Sequence, residues 1–325
     1  MKAKKYKINS LVSSTDAFFV VNGEMKPENG EDSYAFSIND NHALLSVFDG
    51  CGGIGSRKYE KYGGKTGAYL ASHYCAQVML DWFKKFCDEG KKVESVNLPV
   101  ICSELKNLFS EYLGRLSSAA GASGIRGSLT RDFPTTTSSV IITREKGYLV
   151  ANYIWAGDSR GYLLTAEGIT QVTRDDIFGE DDAYANLSDD GRLENMICAD
   201  GKFVLNTKSV ICPSQSVVIT ATDGCFAYFF TPMEFEYMLL QTMLDSNNIN
   251  EWKQKLNDYI LKYTGDDYTI GIAVAGYKTF SELKKRYIPR CKQLFDEYIN
   301  GIERTSPEQK QFLWEKYKDN YYRSV

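Results

Sequence analysis

Two stretches of the chain end alike: Ala43-Leu44-Leu45-Ser46-Val47-Phe48-Asp49-Gly50-Cys51 and Val217-Val218-Ile219-Thr220-Ala221-Thr222-Asp223-Gly224-Cys225. In each, an apolar run of strand type delivers an aspartate at its carboxyl end, and the glycine that follows lets the backbone turn away at once. An acid placed there stands at the rim of a sheet beside an exposed carbonyl, and that pair of oxygens suits a hard divalent cation. Asp-Gly is also an ordinary turn dipeptide and recurs at 190 and 200, so neither stretch is decisive alone. Two more acidic sites stand before strands: Glu31-Asp32, and Asp266-Asp267 in Gly265-Asp266-Asp267-Tyr268-Thr269-Ile270. Four such sites gathered in one sandwich would repel one another unless cations sat among them.

Composition narrows the chemistry further. The chain has only two histidines, His42 and His73, and its eight cysteines contain no CxxC pair, which removes most zinc sites and thioredoxin-type redox couples. The cysteines read as reduced core thiols, His42 as a hairpin-turn residue and His73 as a surface or capping residue of a helix. Hydrolytic chemistry would therefore rest on carboxylates. With 43% hydrophobic and 25% charged residues in 325, the chain is globular. Its net charge of -4 disfavours a duplex nucleic-acid partner. No apolar run approaches the ~20 residues of a membrane span, and the expectation is a cytoplasmic protein.

The elements that must position these acids follow from periodicity. Strands are expected at 34–38 and 43–48 as a hairpin around Asn39-Asp40-Asn41, then at 135–143, 148–155, 162–165, 204–210, 217–222 and 268–275. Helices are expected at 66–86, with Tyr69, Leu70, Tyr74, Val78, Trp82 and Phe86 on one stripe, and at 98–117, 232–245 and 249–263. The Gly/Ser/Ala-rich stretch 117–128 reads as a connection, and 173–192 as a long acidic surface loop or small subdomain. Residues 278–325 read as a helical tail, an aromatic-rich hairpin docked on the domain, with a capping-box candidate at Ser306-Pro307-Glu308-Gln309. Strands in the middle with helices before and after imply an α+β sandwich covered on both faces.

Six segments occur in an order that resembles the metal-dependent type 2C (PPM-type) protein serine/threonine phosphatases, in their bacterial form. They are Glu31-Asp32-Ser33-Tyr34, Val47-Phe48-Asp49-Gly50-Cys51-Gly52-Gly53, Thr135-Thr136-Thr137-Ser138-Ser139-Val140, Ala156-Gly157-Asp158-Ser159-Arg160, Thr222-Asp223-Gly224 and Asp266-Asp267-Tyr268-Thr269. The resemblance implies a four-layer αββα sandwich of two antiparallel sheets flanked by helices. It implies a catalytic domain at 1–277, with 173–192 as a flap-like loop, and does not account for the C-terminal helical extension at 278–325. It also implies two Mg²⁺ or Mn²⁺ ions. Asp49 is similar to the acid that bridges them, with the Gly50 carbonyl on one ion. Asp223 and Asp266 resemble ligands of the other ion, Glu31 and Asp32 resemble the acids serving the first, and Asp158 is similar to the residue that holds a third, weaker ion. The implied reaction is hydrolysis of phosphoserine and phosphothreonine by in-line attack of a hydroxide bridging the two ions. Implied partners are phosphorylated proteins and a cognate Ser/Thr kinase, met by a monomer, with neither nucleic acid nor membrane involved.

Four positions depart from the family pattern. Lys26 stands near the place of a phosphate-binding arginine and is the candidate substitute, a point charge rather than a bidentate fork. Cys51 stands where a histidine is common, Ala227 where an acid is common and Asp267 where an asparagine is common. Two other readings stay open. Cys51 and Arg57 satisfy the C-x5-R pattern of thiol phosphatases. The missing arginine and Ala227 also suit a phosphatase-like module that binds phosphoproteins without turnover.

Overall fold

The computed structural model describes residues 18–39, 41–120, 132–145, 148–179, 182–187 and 192–324. Its strands are β1 (Phe18–Gly23), β2 (Asp32–Ile38), β3 (His42–Asp49), β4 (Lys58–Tyr59), β5 (Lys65–Thr66), β6 (Thr137–Glu145), β7 (Tyr148–Ala156), β8 (Arg160–Thr165), β9 (Gly168–Gln171), β10 (Asn206–Cys212), β11 (Ser216–Ala221) and β12 (Tyr268–Ala275). Its helices are α1 (Gly52–Gly55), α2 (Gly67–Asp88), α3 (Leu98–Ala120), α4 (Pro232–Leu244), α5 (Ile249–Tyr263), α6 (Phe280–Leu294) and α7 (Pro307–Tyr321). Two antiparallel five-stranded sheets, ordered β1-β12-β11-β8-β9 and β10-β7-β6-β3-β2, pack against each other. Helices cover both outer faces. This is the expected four-layer sandwich.

The two-residue period of β3 explains how three cores coexist. Ala43 and Leu45 point between the sheets with Val140, Tyr153, Leu163 and Val218. Leu44 and Phe48 point the other way, into the layer of α2 and α3. Because β3 and β12 are covered on both faces, they read as continuous apolar runs rather than alternating ones. Helix α2 starts where the Thr66 hydroxyl accepts from the Tyr69 N–H, an N-cap that satisfies one orphan donor. Its buried stripe runs through Leu70, Cys75, Met79, Trp82, Phe83 and Phe86, while Tyr74, expected on that stripe, is exposed.

Further differences from expectation have local causes. β1 and β9, not among the expected strands, lie at the edges of their sheet; β1 carries the strand-type run Phe18-Phe19-Val20-Val21, whereas β9 is only four residues long. Thr135 forms only isolated bridges, to Gly50 and Ile197, before β6, and β10 starts at Asn206, with Val204 exposed. Helix α3 continues through 117–120, and the remainder of the expected 117–128 connection lies outside the described residues. His42 is buried rather than at the surface: its Nε2 accepts from the Val93 N–H (3.4 Å), and burial, with Lys92 nearby, pushes its pKa down to about 4. His73 is half-buried and stacks on Tyr69. Among the described residues no helix is long and apolar enough to cross a membrane.

The C-terminal segment is a helical extension that packs on the sandwich. Ser306 caps α7 by accepting from the Gln309 N–H (3.3 Å). Helix α6 packs on α4, and α7 packs on β9 and α4. Both helices dock on the β1–β9 sheet layer, and they meet where the Arg290 guanidinium of α6 lies 5.7 Å from the Tyr317 ring of α7. Tyr287, Trp314 and Tyr317 are buried there, whereas Phe295 and Phe312 face solvent. The Arg290 guanidinium meets buried Glu236 in a two-pronged ion pair (2.8 and 2.9 Å), and the Tyr317 hydroxyl donates to the same carboxylate.

Candidate active site

The hairpin register sets Asp32 directly opposite Asp49 at one end of the sandwich. Asp158 follows β7, Asp223 follows β11 and Asp266 precedes β12, so strand ends from both sheets bring acids to the same end. Glu31, Asp49, Gly50, Asp158, Asp223 and Asp266 line one cleft of roughly 500 Å³, together with Asp267, Cys51 and Ala227. Asp32 lies beneath it, 3% exposed, and accepts from the Thr222 hydroxyl (2.8 Å), a bond that joins the two sheets. Lys26 stands apart, in an adjoining hollow with Lys58 and Lys65 whose rim shares Glu31, Asp266 and Asp267 with the cleft.

The backbone holds these acids firmly. The Asp49 carbonyl accepts from the Thr136 N–H (2.8 Å) and the Thr135 hydroxyl (2.7 Å). Gly50 is required by close approach, since a Cβ there would lie 2.6 Å from the Ala68 carbonyl oxygen and 2.9 Å from that of Glu31. At Gly224 it would lie 2.0 Å from the Asp267 carbonyl oxygen. The Thr66 hydroxyl that caps α2 also donates to Glu31. Asp267 acts on the backbone instead. Its two carboxylate oxygens accept from the N–H groups of Met25 and Glu31, both at 2.7 Å, pinning the turn that leads into β2.

Electrostatically the cleft is one-sided. Burial, reinforced by Asp223, Asp32 and Asp158, holds the Asp49 carboxyl well above the usual carboxylate range. Burial and then Asp223 push Asp158 up to about 8. Burial also raises Glu31 and Asp32, against the lowering effect of the Thr66 and Thr222 hydroxyls. Like charges enclosed together are the arrangement a cation relieves. The Asp158 Oδ1 is buried with no hydrogen-bond partner. An all-oxygen set with an orphaned carboxylate oxygen fits hard divalent cations such as Mg²⁺ or Mn²⁺. Among the described residues, no three acid, histidine or cysteine side chains form a closed ion cage as they stand. The acids share the cleft without already converging on one point.

The cations of the cleft itself are Arg160 and Arg192, neither marked out as a site residue by the sequence. Arg160 is engaged by Asp175 in a buried ion pair (2.6 Å), so the 173–192 loop, expected at the surface, sends an acid into the interior. Arg192 is exposed, with its guanidinium over the Phe178 ring at 5.4 Å. Cys51 has the wrong environment for a thiolate nucleophile: burial and then Asp49 hold its thiol well above its ordinary pKa. Arg57, its partner in the C-x5-R pattern, lies over the Tyr59 ring at 4.9 Å.

No family model matches the chain, and no match is found among curated proteins. Solved structures do share its fold. The chain is similar to a serine/threonine phosphatase from Staphylococcus aureus (TM-score 0.60, 15% identity, 85% of this chain and 99% of that one). It is similar to the serine/threonine phosphatase PstP of Mycobacterium tuberculosis (TM-score 0.54, 15% identity, 81% and 99%). A third likeness is to a PstP catalytic domain in complex with two manganese ions (TM-score 0.51, 17% identity, 80% and 98%). The chain thus shares the fold of these solved serine/threonine phosphatases.

Proposed function

We propose that this chain is a metal-dependent protein phosphatase that hydrolyses phosphoserine and phosphothreonine. The observation that carries the reading is the convergence of Glu31, Asp49, Asp158, Asp223 and Asp266, from five separate strand ends, on one cleft in which burial and then neighbouring acids raise the carboxyls of Asp49 and Asp158. On this reading residues 1–277 form the catalytic unit and 278–325 its helical extension. Asp49 and the Gly50 carbonyl would hold two Mg²⁺ or Mn²⁺ ions, with Asp223 and Asp266 on one side and Glu31 and Asp32 on the other; Asp158 would serve a third. When bound, such ions supply an activated water and neutralise charge on the phosphoryl oxygens. The chain's own part is positioning. Thr135 and Thr136 fix Asp49, Thr222 fixes Asp32, and Asp267 fixes the approach to Glu31. Arg192 on the cleft wall and Lys26 in the adjoining hollow offer positive charge to a phosphorylated substrate. All the cleft acids come from one chain, so a monomer suffices, and the substrates would be products of a Ser/Thr kinase.

The test is hydrolysis of p-nitrophenyl phosphate and a phosphothreonine peptide with Mn²⁺ or Mg²⁺. The reading expects turnover that a chelator removes. No turnover with either metal on either substrate would overturn it in favour of the second reading, a phosphoprotein-binding module, which Ala227 in the cleft and the placement of Lys26 outside it favour.

A further inference from the structure

Helix α7 reaches the cleft through a chain of hydrogen bonds. The indole of Trp314, fully buried, donates from Nε1 to Asp182 Oδ2 (2.9 Å). The other oxygen of that carboxylate, Oδ1, accepts from the N–H groups of Tyr184 (2.9 Å) and Ala185 (3.1 Å), and so caps the single helical turn at 185–187. The Asn186 N–H donates to the Asp182 carbonyl (3.0 Å), and its Nδ2 donates to Asp175 Oδ2 (3.2 Å). Asp175 is the buried partner of Arg160, and Asn186, Asp175 and Arg160 all line the cleft. A second tie lies beside the first: the Ala183 N–H donates to the Tyr322 hydroxyl oxygen (2.6 Å), while the Arg174 guanidinium sits 4.1 Å over the Tyr322 ring.

We propose that α7 holds residues 182–187 in place as a wall of the cleft, with Trp314 and Tyr322 as positioning residues acting through Asp182 and Ala183, and that this wall sorts phosphorylated protein substrates. The substrate half rests on the hydrolase reading; the mechanical half does not. A carboxylate shared between a buried indole and a helix cap has both oxygens engaged, so its rotamer is set from the tail side, and the cap it makes sets where Asn186 points. On this proposal a small aryl phosphate would reach the acids without engaging this wall, whereas a polypeptide substrate would span it.

The experiment uses the full chain with Trp314→Phe, which keeps a ring and removes the N–H, and Asp182→Ala, which cuts the same link from the half-buried loop side without disturbing the core. Backbone amide exchange over 182–187 is expected to rise roughly tenfold in both, as for loss of one buried hydrogen bond. With Mn²⁺, KM for a phosphothreonine peptide is expected to rise roughly 3- to 10-fold at nearly constant kcat, with p-nitrophenyl phosphate kinetics unchanged. Unchanged exchange in both variants, with cooperative melting intact, would overturn the proposal. So would a parallel loss on both substrates, which would mean the tail acts on the chemistry or on global stability. If the wild-type chain hydrolyses neither substrate, the hydrolase reading fails and the exchange measurement alone decides the mechanical claim.

Discussion

Two concentrations of charge lie in this fold, and they are treated in opposite ways. Under the tail, Glu236 is fully buried, and its carboxylate is met by both prongs of Arg290 and by the Tyr317 hydroxyl. In the cleft, Asp49 and Asp158 face mainly other acids, and one oxygen of Asp158 has no partner. The first group is complete in itself, so it serves structure. The second is complete only with something positive added, so it serves binding and chemistry.

Breaking each group separately tests that contrast. The largest effect is expected from Asp49→Ala: Mn²⁺-dependent hydrolysis falls by about a thousandfold or more in a steady-state assay, while urea denaturation of the metal-free protein shows no loss of stability, since a repelling acid has been removed. Arg290→Met does the reverse. Urea titration is expected to show a loss of about 3–5 kcal/mol, because Glu236 is left buried and unpaired, and the double variant with Glu236→Leu recovers most of it. If Arg290→Met costs nothing, the contrast itself is wrong. Mn²⁺ at about a hundred times its Kd should raise the unfolding free energy of wild type by about 2.7 kcal/mol, and Asp223→Asn should blunt that gain.

The smallest effect belongs to His42. Its folded pKa of about 4 lies below the ordinary value of 6.5. Between those values the unfolded chain binds the extra proton, so stability falls as pH drops from about 6.5 towards 4. In His42→Gln that portion of the acid sensitivity should vanish from a series of melts across this range. An unchanged pH profile would mean that the imidazole is not sheltered as described.

The sequence was most legible where an element carries its own punctuation. The strand before Asp49, the strand 268–275 and helix α5 each have a clear period and clear ends, and the structure has them where expected. Asp49 and Asp223 were legible for the same reason, as Asp-Gly at a strand's end is a local signal, whereas Asp158 carried no such mark and was singled out only through the family resemblance. Partners distant in sequence were not. Asp175 looked like one acid among many in a loop, and only Arg160, fifteen residues away and aimed at the same interior point, makes it a buried ion. Arg192 lies at the end of that loop with no local mark of its place in the cleft. The tail's aromatic spacing announced packing, but the tie from Trp314 to Asp182 spans 132 positions and leaves no periodic trace.

Among the described residues, strand β1 finds its sheet partner in β12 alone, from Phe18 against Ala273 to Gly23 against Tyr268. One sheet of the sandwich therefore closes only when two segments some 250 positions apart have met, a closure that is entropically costly and slow. A chain growing from the ribosome cannot assemble the acid cleft until β12 has emerged, and a truncated product ending before residue 266 would lack both Asp266 and the strand that anchors β1. Translation itself thus withholds the finished cleft until its last acid has been made.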